Sequence, residues 1–470
     1  MRILHAIHDF PPRHQAGSEI YAFDLCRELS ARHDVTVVCA EFDPSRRHGH
    51  VQWRVHKGLA VVEIVNNYVC ASFEDAYRAP LMGARLADIL GAVQPEVLHV
   101  HSLMNLSFDL PALAHAQGIP VVATLHDYAL VCPSGGQRIH RADRHLCEVI
   151  DTDRCARCFA ESPVNAHVAY GRIAAVTRAP EGVHRAAAAV RRRFPAMAGG
   201  LLGAVHRAAS LAPAVADIEK RMAAARRVFG EIDLFVAPSA SMAGEFERLG
   251  IDRDRIRISD YGFVDIGRGT GAIIGRGAAL RPSPTVIGYV GTLAWHKGAH
   301  VLLEAVRPLD AGAYELRIFG NPDVFPDYTA GLRALAAGLP VRFMGAFDRD
   351  RTAEVYAQID VLVVPSLWLE NSPLVIHEAF MAGVPVVGAR IGGIAGLVED
   401  GVTGLLYDPS SAVELRAALG GLIENPAQLE GLAERVRTAP PVKSIAQDAR
   451  EWEDTYADVR RRRAAAGSLT

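Results

Sequence analysis

VLVVPSLWLENSPLVIHEAFMAGVPVVGA, residues Val361 to Ala389, carries a strand, a helix start and a second strand in one short run. VLVVPS (Val361 to Ser366) is apolar and β-branched, the composition of a strand buried on both faces. Ser372 suits an N-cap and Pro373 the first helical turn, so a helix opens on LVIHEAFMAG. PVVGA (Pro385 to Ala389) then reads as the next strand. Strand, helix and strand in succession predict a parallel sheet covered by helices.

The same pattern extends outward from this stretch. Upstream lie TVIGYVG (Thr285 to Gly291), ELRIFG (Glu315 to Gly320) and VRFMG (Val341 to Gly345), separated by helical runs. The first half repeats it with strands at Arg2 to Ile7, Val35 to Ala40, Val97 to His101, Val121 to His126 and Leu234 to Ser239. A helix is expected from about Ser18 to Ala31, with Tyr21, Leu25 and Leu29 on one face. Two such series predict an α/β chain of two Rossmann-like, doubly wound domains. The first spans 1–262, with a cysteine-bearing loop at 128–160 and a basic helical insert at 171–230. The second spans 284–445. The Gly- and Pro-rich stretch between Gly262 and Pro284 has linker composition. A last helix, 446–470, is expected to cross back to the first domain.

Composition narrows the function. The chain has 470 residues, 50% apolar and 22% charged, with a formal net charge of −3. That balance excludes a nucleic-acid binder by bulk charge. No apolar run reaches the roughly 18 residues of a transmembrane helix. MRILHAIHDFPP reads as a first strand and not as a signal peptide. The expected setting is cytoplasmic, with peripheral attachment to the inner face of a membrane as an extension. Seven cysteines in a reducing setting point to free thiols or a metal site instead of a disulfide framework.

Five segments resemble glycosyltransferase family 4, whose members have the GT-B architecture. They are HQAGSE (His14 to Glu19), TLHD (Thr124 to Asp127), GTLAWHKG (Gly291 to Gly298), ENSPLVIHEAFMAGVPVV (Glu370 to Val387) and RIGGIAGLV (Arg390 to Val398). They stand in the family's order. The resemblance implies two domains facing a cleft and a retaining transfer of sugar from a nucleotide-sugar, a UDP- or GDP-sugar first of all. A saccharide or lipid-linked acceptor, in bacterial cell-surface polysaccharide or glycolipid synthesis, is implied with it.

The residues themselves fit such a ligand. A nucleotide-sugar needs backbone N–H groups and a cation for its phosphates. Gly291 ends a strand where backbone can approach a phosphate, and Lys297 can place an ammonium on the same group. Thr292 stands where relatives often carry an arginine, so one phosphate cation is missing or supplied elsewhere. The amides of Ser372, Pro373 and Leu374 mark a helix start, a place that favours anions. Pro373 itself contributes no N–H. Glu378 inside an apolar helix needs a partner. The resemblance gives Glu378 the ribose hydroxyls and Glu370 the donor sugar. It makes Gly17 a close-approach glycine and His126 the histidine facing the transferred sugar. His99 and His101 share a strand face, and His101 is a further cleft candidate. His377 reads as a packed neighbour. Catalysis would rest on His126, Glu370 and Lys297, with no cofactor or catalytic metal required.

Cys155 and Cys158 have a spacing suited to one metal ion, and with Cys132 and Cys147 they offer four thiolates for a structural zinc or an iron–sulfur cluster; unmetallated thiols and redox pairing are the alternatives. Residues 171–230 hold eleven Lys and Arg against three Asp and Glu, the composition of a segment that can lie on anionic membrane or be solvated helix. Two other functions stay open: a nucleotide-sugar epimerase or hydrolase of the same fold, and a non-catalytic metal- and membrane-binding protein.

Overall fold

The computed structural model describes residues 1–140, 143–177, 208–266 and 284–467. Half of the basic insert (178–207) and most of the proposed linker (267–283) lie outside the described residues. The chain divides into two compact units. The first comprises Met1–Ala237, Glu245–Ile258 and Ala449–Thr470, and the second Pro238–Gly244 and Ser259–Asp448.

In the first unit the strands are β1 (Arg2–Ile7), β2 (Asp34–Glu41), β3 (Val51–His56), β4 (Leu59–Val65), β5 (Val97–Val100) and β6 (Val121–Thr124). A small antiparallel ribbon, β7 (Ile139–His140) and β8 (His145–Leu146), stands apart, and β9 (Leu234–Ala237) and β10 (Ile256–Ile258) complete the set. The main sheet runs β10-β9-β6-β5-β1-β2-β4-β3. All neighbours are parallel except β3, which pairs antiparallel with β4. The β3–β4 hairpin was not expected from the sequence. Strand β3 is an edge strand with Gln52, Trp53 and Val55 exposed, so it lacks the apolar run that marks the buried strands. Strand β4 buries Glu63, which accepts from Arg54 at 2.7 Å and Arg13 at 3.0 Å.

In the second unit the strands are β11 (Thr285–Val290), β12 (Tyr314–Phe319), β13 (Val341–Gly345), β14 (Val361–Val364), β15 (Val386–Ala389) and β16 (Gly404–Tyr407). They form one parallel sheet in the order β13-β12-β11-β14-β15-β16. Val361 and Val363 enter the core on one face, and Leu362 and Val364 the core on the other. This alternation is why the strand has no polar face. Each such side chain contributes about 1.5–3 kcal/mol by leaving water.

Both sheets have a topological switch point. In the first, the chain winds outward from β1 through β2 to β4 and then returns to place β5 on the other side of β1. In the second, β12 and β13 lie on one side of β11 and β14 on the other. Ligands of open parallel sheets bind beyond the carboxyl ends of strands at such points. The segments after β1 and β5, and after β11 and β14, hold the residues described next.

The helix Gly17–Leu29 follows β1, close to the expected 18–31. The last helix runs Ile445–Gly467. From Ala449 onward it belongs to the first unit: Trp452 Nε1 donates to Tyr21 Oη at 2.9 Å, and Glu453 accepts from Arg32 at 2.7 Å.

Candidate active site

In the second unit, the turn after β11 and the loop after β14 bring Lys297 and Glu370 together. Lys297 Nζ donates to Glu370 Oε1 at 2.7 Å, and Ser366 Oγ donates to the same oxygen at 2.6 Å. Glu370 is buried, so the carboxylate depends on these donors. The Lys297 ammonium also lies 5.0 Å from the centre of the Trp368 ring. Trp368 Nε1 is buried and has no acceptor among the described residues. A bare buried donor beside a cation suits an oxygen-rich ligand.

Glycines set this geometry. Gly298 has a φ of +74°, and a Cβ there would lie 1.7 Å from the Pro365 carbonyl oxygen. The turn carrying Lys297 can therefore press on the end of β14. Gly393 donates its N–H to the Glu370 carbonyl at 2.7 Å, and a Cβ on it would lie 1.8 Å from the Asn371 oxygen. The Gly392-Gly393 pair thus fixes the backbone of Glu370 and Asn371 by close approach. Gly291 also has positive φ and open space on its Cβ side, with exposed Thr292 beside it.

The helix Leu374–Met381 is capped by Pro373, and Ser372 makes no capping bond. This corrects the expected N-cap. Ser372 Oγ instead donates to Asp260 at 2.7 Å and lies 2.9 Å from His377 Nε2, which is 3.2 Å from the other Asp260 oxygen. A hydroxyl already satisfied by a carboxylate prefers that partner to an amide of its own helix. His377 stacks on Phe263 at 4.5 Å, so it is packed as expected. Glu378 accepts from Tyr356 Oη at 3.0 Å. Burial raises its pKa to about 6, against the opposing pull of Tyr356, Arg349 and His377.

In the first unit, four histidines pack beneath the carboxyl ends of β1, β5 and β6. His126 Nε2 lies 2.9 Å from His101 Nδ1, and His101 Nε2 lies 3.0 Å from His5 Nδ1. His99 bridges Thr124 and Tyr456 at 2.8 Å each. Burial lowers His126 and His5 to about 3 and holds His99 and His101 well below the ordinary imidazole value, so all four rings are neutral near pH 7. A neutral ring carries one N–H. The three-ring chain therefore has two concerted arrangements, in which His126 Nε2 either donates to His101 or accepts from it.

His8 and Glu19 were not singled out in the sequence. His8 follows β1 and Glu19 sits in the first turn of the 17–29 helix, with Nε2 and Oε1 3.3 Å apart. Burial would lower His8, yet the bond to Glu19 and the charges of Glu19, Asp9 and Asp127 lift it to about 9. A buried ion pair next to His126 was unreadable because its partners are eleven residues apart on different elements. Gly17 begins that helix after Ala16, at ordinary helical backbone. Nearby, a cavity of about 360 Å³ is lined by Asp9, His14, Glu41, Asn66, Asn105 and His167 among others. No lysine or arginine lines it among the described residues. Among those residues, too, no helix is long and apolar enough to cross a membrane.

Residues 16–186 match the family model described as Glycosyltransferase Family 4, and residues 284–425 match Glycosyl transferases group 1. A D-inositol 3-phosphate glycosyltransferase of Nocardia farcinica is 33% identical over 211 residues, covering 42% of this chain and 46% of its own. One from Xylanimonas cellulosilytica is 31% identical over 273 residues, covering 55% and 64%. The chain thus spans about half the length of the curated relatives it matches. Among solved structures, sucrose-phosphate synthase of Thermosynechococcus elongatus aligns at a TM-score of 0.62 and 16% identity, over 100% and 99% of the two chains. Anabaena HepE in complex with UDP and glucose aligns at 0.59 and 16%, over 97% and 99%. These likenesses establish the GT-B fold.

Proposed function

Starting from the premise that the chain belongs to glycosyltransferase family 4 and has the GT-B fold, we propose that it transfers a sugar from a nucleotide-sugar to a hydroxyl of an uncharged acceptor, with retention at the anomeric carbon. The observation that carries this reading is the Lys297–Glu370 pair beside the bare Trp368 N–H at the β11/β14 switch point. A UDP- or GDP-sugar is the donor class, and the UDP and glucose named with HepE support it.

Lys297 and the amides at the start of the 374–381 helix receive the diphosphate, and Glu378 accepts from the ribose hydroxyls. Glu370 is tied to Lys297 and Ser366, so it orients the sugar and is not a free nucleophile. The acceptor hydroxyl forms its bond to the anomeric carbon on the face the diphosphate leaves. The carbon–oxygen bond to the diphosphate breaks with its electron pair on the phosphate oxygen, which takes the hydroxyl proton. Positioning and stabilisation of the departing charge supply the rate. Neutral His126 serves as a hydrogen-bond partner for the sugar and not as an acid.

The acceptor reading rests on the cavity near β1. Carboxylates and amides without a lysine or arginine suit polyol or saccharide hydroxyls and disfavour a phosphate. A lipid-linked saccharide, as in polysaccharide or glycolipid synthesis, would also give the basic 171–230 segment a membrane to face. Calorimetric titration with UDP-, GDP- and ADP-sugars, with Glu378→Ala as control, tests the donor site. One nucleotide class should bind and lose affinity in the variant. Equal binding by variant and wild type would refute the assignment. Turnover with the bound donor and a panel of neutral and phosphorylated acceptors then tests the cavity.

A further inference from the structure

Cys132, Cys147, Cys155 and Cys158 lie on three separate pieces of the first unit. Cys132 is in the loop that leaves Tyr128, its N–H donating to the Tyr128 carbonyl at 2.7 Å. Cys147 follows the β7–β8 ribbon, its N–H donating to the Arg138 carbonyl at 2.8 Å. Cys155 and Cys158 sit three apart on the helix Thr152–Ala160, so they share a face. Asp151 caps that helix by accepting from the Arg154 N–H at 3.0 Å. All four cysteines line one small cavity of about 30 Å³. None is in a disulfide.

The charge around the cavity is unbalanced. Arg221, on the helix Val215–Glu231, is buried. Its guanidinium donates to the carbonyls of Ala129 at 2.6 Å and Leu130 at 3.0 Å and lies over the Phe108 and Tyr77 rings. Among the described residues no carboxylate lies within 4.0 Å of it. Burial disfavours its charge, and Cys132 and Cys155 are among the groups that favour it. A buried cation whose close partners are carbonyls and ring faces is costly. It would be balanced if those thiols carried negative charge.

We propose that the four cysteines close on one zinc ion and bind it as thiolates, joining the loop, ribbon and helix into a single module. Zinc with four thiolates releases four protons on binding and leaves a net charge of −2, which Arg221 offsets. Four sulfur ligands with no open position make the site structural. Its effect on the sugar site is positional. Asp127, next to His126, accepts from the Ala129 N–H at 2.7 Å, so a module anchored at Cys132 holds the backbone that leaves β6.

The test is elemental analysis of the full chain, purified under reducing conditions and passed through a chelating resin. One zinc per chain is expected. The Cys155→Ser, Cys158→Ser double variant should lose it, whereas Cys70→Ala, outside the module, should keep it. A second measurement needs no variant: titrating the wild type with an organomercurial should release zinc as the thiols are blocked. A metal-free wild type that takes up no added zinc, iron in place of zinc, or zinc retained by the double variant would each overturn the proposal. None of these outcomes depends on sugar transfer, so the site and the transferase reading fail separately.

Discussion

Replacing Glu378 by Gln should make the second unit more stable and worse at holding a nucleotide. The ordinary pKa of 4.5 rises to about 6 because burial disfavours the carboxylate more than Tyr356, Arg349 and His377 favour it. At about 1.4 kcal/mol per tenfold change in proton affinity, the rise corresponds to about 2 kcal/mol. Glu378 is only half-buried, and screening at its exposed edge trims this to about 1–2 kcal/mol. The sign follows from proton binding. The folded chain holds this proton more tightly than the unfolded chain. Stability is therefore undiminished below about pH 4.5, falls as pH rises towards about 6, and stays reduced above it. Gln keeps an oxygen for the Tyr356 hydroxyl and removes the charge. Urea melts at about pH 7.5 should show the variant more stable by about 1–2 kcal/mol, and melts near pH 4.5 should show little difference. Nucleotide affinity should fall by about tenfold or more, since an amide accepts a ribose hydroxyl more weakly than a carboxylate does. In wild type, affinity should also weaken as pH drops through about 6. A variant less stable at both pH values, or one that binds nucleotide normally, would refute the reasoning.

Lys297→Ala should leave buried Glu370 with the Ser366 hydroxyl as its side-chain donor, costing about 1–3 kcal/mol in a thermal melt along with diphosphate affinity. Gly393→Ala forces a Cβ to within 1.8 Å of the Asn371 oxygen, so it should displace the Glu370 loop and abolish nucleotide binding in calorimetry while the first unit stays folded. His101→Phe keeps the ring and breaks the link between His126 and His5. It should lower kcat by about tenfold or more, as loss of an orienting partner does, with donor KM nearly unchanged in steady-state kinetics.

The fold was legible where burial on both faces strips a strand of polar residues. Val361 to Val364 and Val121 to Thr124 are such strands, and they stand where the sequence puts them. It was not legible at β3, whose side chains are largely exposed, nor at four-residue β16. The proposed donor site was readable in part because Lys297 and Glu370 each sit in a marked segment next to a glycine turn. Their mutual bond, and the parts played by Ser366, Trp368 and Tyr356, needed the sheet order that makes β11 and β14 neighbours. Ser372 was misread as a cap because Asp260, its actual partner, is more than a hundred positions away. The histidine cluster had one readable contact, the shared face on which His99 and His101 stack. His5 and His126 join it only because β1 and β6 flank β5.

The bond between His99 and Tyr456 spans 357 positions of sequence, and that span sets an order of events during synthesis. The strands of the first unit leave the ribosome long before Trp452 and Tyr456 exist. Until then His99 lacks its Nδ1 partner, and Tyr21 lacks the indole donor. A nascent chain can assemble its parallel sheet yet carry an open, wettable seam beside the histidine cluster. The seam closes once the 445–467 helix has been made. Protease resistance of the first unit should therefore rise late, once the 445–467 helix has been made.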